Sequence, residues 1–202
     1  MDQLQHQLTI ALVGLCLVAA ACGNDGKAGR AQAAVRVDSG VSRETELARF
    51  RDSLAEPAAL SGGAASRDAL VRAFIRALEA RDTSALSALL LTRAEFAYLY
   101  YPTNPEARPP YNLSPALMWF MGEGRSRRGL SQALEQRSGQ QLRYAGYSCA
   151  ASQRQGENTV WTGCTVRHHQ AGAGGGVIDE MLFGPIIERG GRFKFVSYAN
   201  KL

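Results

Sequence analysis

The stretch VIDEMLF, residues 177–183, sets Asp179 and Glu180 side by side among apolar residues. Neighbouring side chains on an extended strand point to opposite faces, so one carboxylate is expected to look into the protein and the other out of it. A carboxyl group surrounded by apolar atoms has its pKa raised by desolvation and can pass a proton to and from a substrate. Asp179 and Glu180 are therefore the candidate acid or base, with a tyrosine as the donor to a developing oxyanion. The same residues also read structurally: a hairpin closed over the Gly-rich segment AGAGGG brings Asp179 near Arg167 as an ion pair. Glu95 needs no catalytic reading, because Thr92 and Glu95 match a capping box.

Other chemistry is poorly supplied. His168 and His169 are adjacent, so on a strand they face opposite ways and cannot grip one ion; no metal site and no cofactor are expected. No GxSxG elbow is present, and no Ser, His and acid set can be argued from spacing. Aromatic residues are dense around a proline-rich loop: Tyr98, Tyr100, Tyr101, Tyr111, Trp119 and Phe120. Aromatic side chains of this kind either line a pocket with polar tips or staple a long loop to a core. Tyr98, Tyr101 and Trp119, with Tyr147 from a later strand, are the candidate ligand-binding residues. The chain carries a net charge of +5, and its basic residues are scattered apart from Arg125, Arg127 and Arg128 in GEGRSRRG. With no aromatic residues interleaved, that cluster reads first as a solvated loop and second as a contact for anionic lipid or phosphate, and nucleic acid is not an expected partner.

Four cysteines divide into two kinds, Cys149 and Cys164 in the later half and Cys16 and Cys22 near the start. LRYAGYSCAASQ and NTVWTGCTVRHH read as strands around the turn RQGEN, and a hairpin centred between Gly156 and Glu157 sets Cys149 opposite Cys164. A disulfide between them closes a loop worth about 3 kcal/mol in the chain-entropy view. Cys22 belongs to a different setting. Leu8 to Ala21 is an apolar run of 14 residues, too short for a membrane-spanning helix and of signal-peptide length, and Ala19, Ala20 and Ala21 lead into Cys22. This resembles the bacterial lipoprotein signal, which implies cleavage before Cys22 and a diacylglycerol on its sulfur; the alternative is a plain secretory signal cut near Ala21. Gly23 rather than Asp follows the cysteine, which by the same resemblance implies a periplasm-facing protein of the outer membrane. Cys16 is the weaker lipid site because the large Leu15 precedes it. Residues 1–21 are then the signal, and residues 22–42, rich in Gly, Ala and charge, a flexible tether of about 25 Å.

Residues 43–202 carry the folded part as a single domain. RETELARFRDSL is a short amphipathic opener, and SRDALVRAFIRALEARD has one apolar stripe with Ser66 as its cap. Asp82 caps TSALSALLL, the Thr92 box opens RAEFAYLYY, and Pro102 stops it. Residues 102–115 hold five of the seven prolines, after which Ser114 and Pro115 start a helix in ALMWFM, and GLSQALEQRSG forms another. The remainder is β: the disulfide hairpin, a third strand broken at Gly184 and Pro185, the turn RGGR, and FKFVSYANKL. The expected class is α+β, with N-terminal helices packed on a curved antiparallel sheet and one hairpin disulfide.

The helix pair DALVRAFIRALEARDTSALSALL resembles the opening of the nuclear transport factor 2-like superfamily, the cone-shaped fold of ketosteroid isomerase, polyketide cyclases and many binding proteins. TRAEFAYLYYP departs from it, being helix and loop where relatives have a strand, and no catalytic residue carries over. Three functions are compatible: a non-catalytic envelope protein binding a small apolar ligand or another envelope protein; an isomerase, dehydratase or cyclase using Asp179 or Glu180; and a structural assembly protein. The last includes a homodimer.

Overall fold

A computed structural model describes residues 41–169 and 175–202. Cys22, the signal segment and nearly all of the tether lie outside the described residues, as does most of the Gly-rich turn. The order is helices first and strands afterwards: α1 (Arg43–Arg51), α2 (Arg67–Glu79), α3 (Thr83–Ala88), α4 (Arg93–Glu95) and α5 (Pro115–Arg137), then β1 (Tyr144–Gln155), β2 (Asn158–His169), β3 (Val177–Glu180), β4 (Ile186–Arg189) and β5 (Arg192–Phe195). The protein is α+β, with one antiparallel five-stranded sheet of order β1-β2-β4-β5 in which β3 also pairs with β2.

Each helix begins at a side chain that captures a free backbone N–H. Ser66 accepts from Ala69, Asp82 from Ala85, and Ser114 from Leu117. Thr92 and Glu95 complete the reciprocal box, at 3.1 Å and 2.8 Å. Removing such a cap costs about 1 kcal/mol.

RAEFAYLYY does not continue as a regular helix. After α4 the chain makes a π turn over Phe96–Tyr100 and a tight 3-10 turn over Tyr101–Thr103. The cause lies in the carbonyls. Pro102 has no N–H to offer back. Arg51 takes the Ala97 carbonyl at 2.9 Å and 3.2 Å, while Asn158 takes that of Leu99 at 2.7 Å. The Tyr101 N–H then bonds to the Phe96 carbonyl.

The segment GEGRSRRG is helix, not a solvated loop, and α5 runs unbroken through it into the expected separate helix. Its glycines differ in role. A Cβ on Gly129 would lie 1.8 Å from the Tyr198 carbonyl oxygen, so glycine lets the C-terminal tail pack directly on the helix. Asn200 secures that contact by donating to the Gly129 carbonyl at 2.6 Å.

In the hairpin, Cys149 pairs with Cys164 across the ladder and the two are joined by a disulfide. The expected third strand is two strands, β3 and β4, both paired with β2, and the register slips by one residue across the Gly184–Pro185 break. The free edge of β5 is covered: Ala64 exchanges two backbone bonds with Phe193, and Phe195 bonds to Leu89 and Leu91.

Two apolar cores result. One gathers α2, α3, the C-terminal half of α5 and the sheet around Phe74, which packs edge-on to Phe183 at 5.3 Å and to Phe195 at 5.6 Å. The other gathers α1, the π turn and Trp119 around Phe96. Ile186 belongs to the first and its neighbour Ile187 to the second, and both are fully buried. Consecutive strand residues face opposite ways, so β4 is covered by helical segments on both faces rather than on one.

Candidate ligand-binding cleft

The second core is open on one side. Between α5 and the π turn lies a cleft of about 820 Å³, with Phe96, Tyr100, Trp119, Val160 and Val196 among its walls. α5 presents Met118, Gly122, Ser126 and Leu130 to it, one residue per turn of helix. The four-residue spacing is the sequence signal that marks this wall, and it is visible only once GEGRSRRG is taken as helix. A Cβ on Gly122 would meet nothing within 4 Å. The mouth carries Tyr111 and Met121, both exposed.

Polar side chains are interspersed in this mainly apolar lining, among them Asn104, Gln153, Gln155 and Thr162. Arg93, Arg125 and Arg127 border it, as do Glu106 and Glu123. The Arg93 guanidinium lies over the Phe50 ring at 4.6 Å, which ties it to the core. Burial, reinforced by Glu106, pushes the Tyr100 phenol up to about 12, so it is a neutral hydroxyl at physiological pH. Gln155 donates to Gln153 at 3.3 Å, while its own carbonyl oxygen is buried without a hydrogen-bond partner among the described residues.

The other residues predicted from sequence lie elsewhere. Of the four candidate ligand-binding residues, Trp119 alone lines the cleft, joined by Tyr100 and Tyr111 from the wider aromatic set. Tyr98 faces α1, donating to the Leu54 carbonyl at 3.3 Å beneath the Arg51 guanidinium. Tyr101 is 1% exposed and its hydroxyl donates to the Leu113 carbonyl at 2.8 Å, stapling the proline-rich loop. Tyr147 packs against the first core, with Arg67 over its ring at 5.9 Å. The π turn advances the chain by an extra residue, which rotates the later tyrosines away from the faces a regular helix would give them.

The two carboxylates are also outside the cleft. Asp179 points outward and forms a bidentate pair with Arg167, at 3.1 Å and 3.2 Å. Glu180 points inward and is held by Arg137 from the last turn of α5 and by His168 Nε2 at 2.9 Å. The raised pKa expected of an inward carboxylate is not found: the Arg137 hydrogen bonds outweigh burial, and His168 adds to them, so Glu180 is held below its ordinary value. His168 is buried, and its other nitrogen lies 3.2 Å from the His169 carbonyl oxygen, so both ring nitrogens are occupied within the protein.

Comparison with protein-family models, curated proteins and solved structures finds no match for this chain. Among the described residues no group of three or more His, Cys, Asp or Glu side chains is arranged to hold a metal ion. No helix among them is long and apolar enough to cross a membrane.

Proposed function

We propose that this protein is a lipid-anchored component of a bacterial cell envelope, held at Cys22, whose α+β domain binds a small apolar ligand in the cleft beside α5 without transforming it. The observation that carries the ligand reading is the cleft itself. Its volume falls within the roughly 300–1,000 Å³ of small-molecule sites, and its walls are mainly apolar with polar side chains interspersed. Gly122 leaves the helix wall bare where any side chain would intrude. The anchor rests on the run of Leu8 to Ala21 and the alanines before Cys22. A cone-type, nuclear transport factor 2-like ancestry belongs to the same proposal, resting on the α2–α3 pair followed by an antiparallel meander. Acid-base catalysis by Asp179 or Glu180 has less in its favour, since both are engaged in ion pairs and neither borders the cleft.

Native mass spectrometry of the chain purified from envelopes tests both halves. The expected result is a mature chain beginning at acylated Cys22, with an additional bound mass that organic solvent releases. A chain with no acyl mass overturns the anchor. Recovery of bare protein that also fails to take up a hydrophobic fluorescent dye overturns the ligand reading.

A further inference from the structure

Five large apolar side chains are exposed among the described residues, and four of them, Tyr111, Leu117, Phe120 and Met121, lie within eleven residues of chain at one corner. Phe120 and Tyr111 are 68% and 66% exposed. Leu117, Phe120 and Met121 have i, i+3, i+4 spacing, so they form one stripe on the outer side of α5, away from Ser126 and Gly129, which are buried against the tail. Continued along the helix, the stripe reaches Gly124 and Arg128, with Arg125 and Arg127 on its flanks. Arg125, Arg127 and Arg128 make no ion pair among the described residues, and Glu123 is the one acid between Pro115 and Ala133. Apolar knobs on the first turns with unpaired guanidinium groups one and two turns later form the pattern of a helix that lies at a membrane surface.

We infer that the N-terminal half of α5 and the adjoining loop around Tyr111 form a docking surface for an anionic lipid bilayer. The apolar side chains enter the head-group region, and Arg125, Arg127 and Arg128 meet lipid phosphates. Charge complementarity selects this occupant over a protein: three cations against one acid flank the apolar stripe, and anionic bilayers attract basic residues next to inserted apolar groups. Tyr111 and Met121 also border the cleft, so its mouth opens onto this surface. The docking surface does not depend on a ligand being bound in the cleft.

The test places a reporter on the stripe of the full chain, as Phe120→Trp, and mixes the protein with vesicles of brominated phosphatidylcholine, alone or with brominated phosphatidylglycerol. Emission of the unsubstituted protein gives the background of Trp119 and Trp161. Added fluorescence at position 120 is expected to be quenched by the anionic vesicles and much less by the neutral ones. The lipid concentration for half-maximal quenching should rise about fivefold for each of R125Q, R127Q and R128Q. Three results each overturn the proposal: vesicle binding without quenching at position 120, quenching indifferent to anionic lipid and to the arginines, or a position 120 already shielded without lipid because two copies of the chain associate there. Circular dichroism of each variant checks that these exposed substitutions leave the fold in place.

Discussion

The Nζ of Lys194 on β5 lies 2.8 Å from Oε2 of Glu95 in α4, and the two side chains are only 2% and 1% exposed. The other carboxylate oxygen accepts from the Ser61 N–H and hydroxyl at 2.6 Å and 3.0 Å. A residue read as a helix cap is thus also the anchor of a fully buried ion pair between the helical half and the sheet. Lys194→Met leaves the carboxylate buried without its counter-ion and is expected to cost about 3–5 kcal/mol in urea unfolding. Adding Glu95→Gln to that variant should recover part of the loss. A cost below about 1 kcal/mol for Lys194→Met would mean that the pair is idle.

Two glycines of one helix are expected to respond with opposite signs. Gly129→Ala drives a methyl group into the Tyr198 carbonyl and should lower stability by about 1–3 kcal/mol. Gly124→Ala meets nothing within 4 Å and should raise it by about 0.5–1 kcal/mol, the ordinary gain from replacing a helical glycine. Thermal melting of the two variants, compared side by side, checks the expectation.

Stability should fall with acid in a window set by two carboxylates. Glu180 is held below 4.5 by Arg137 and His168. Burial pushes Glu95 up, yet Lys194 and the N–H groups of Thr92 and Ser61 outweigh it and hold it below 4.5 as well. A folded pKa below the unfolded one means that the unfolded chain binds more protons, so stability is present above about pH 4.5 and is lost as pH falls through the depressed values. Denaturant midpoints measured from pH 7 down to pH 3 should show this slope, and Glu180→Gln should flatten it. Equal slopes in the two proteins would remove Glu180 from the account.

Gly122→Phe should close the cleft without disturbing the cores, because the added ring enters space that borders no atom within 4 Å of its Cβ. Binding of a hydrophobic dye is expected to fall at least tenfold while the melting temperature is unchanged or slightly higher. Undiminished dye binding would place the ligand elsewhere on the protein.

Much of this architecture could be read from local chemistry. Ser66, Asp82, the Thr92 and Glu95 box and Ser114 mark their helices because capping is settled within a few residues. The Cys149 and Cys164 pairing follows from the turn between them. What stayed hidden depends on distant partners. The glycines of GEGRSRRG read as a loop, since only the tail carbonyl at Tyr198 explains why one of them lies inside a helix. The inward turn of Lys194 in FKF has no local signal, because Glu95 and the second core that cover that face of β5 come from distant parts of the chain. Among the aromatic residues, Trp119 was legible as a wall of the cleft, but Tyr98, Tyr101 and Tyr147 were not separable from it. The π turn that aims Tyr98 and Tyr101 arises from Arg51, Asn158 and Pro102 acting on the backbone carbonyls, while Tyr147 is placed by β1.

Ile186 and Ile187 give their side chains to different cores from adjacent positions on one short strand. A severed chain therefore has no place to fall apart into self-sufficient halves: the first 140 or so residues would hold two helical coats with nothing to line, and the rest a ribbon bare on both sides. Such a chain gains its interior only once the last strands are in place.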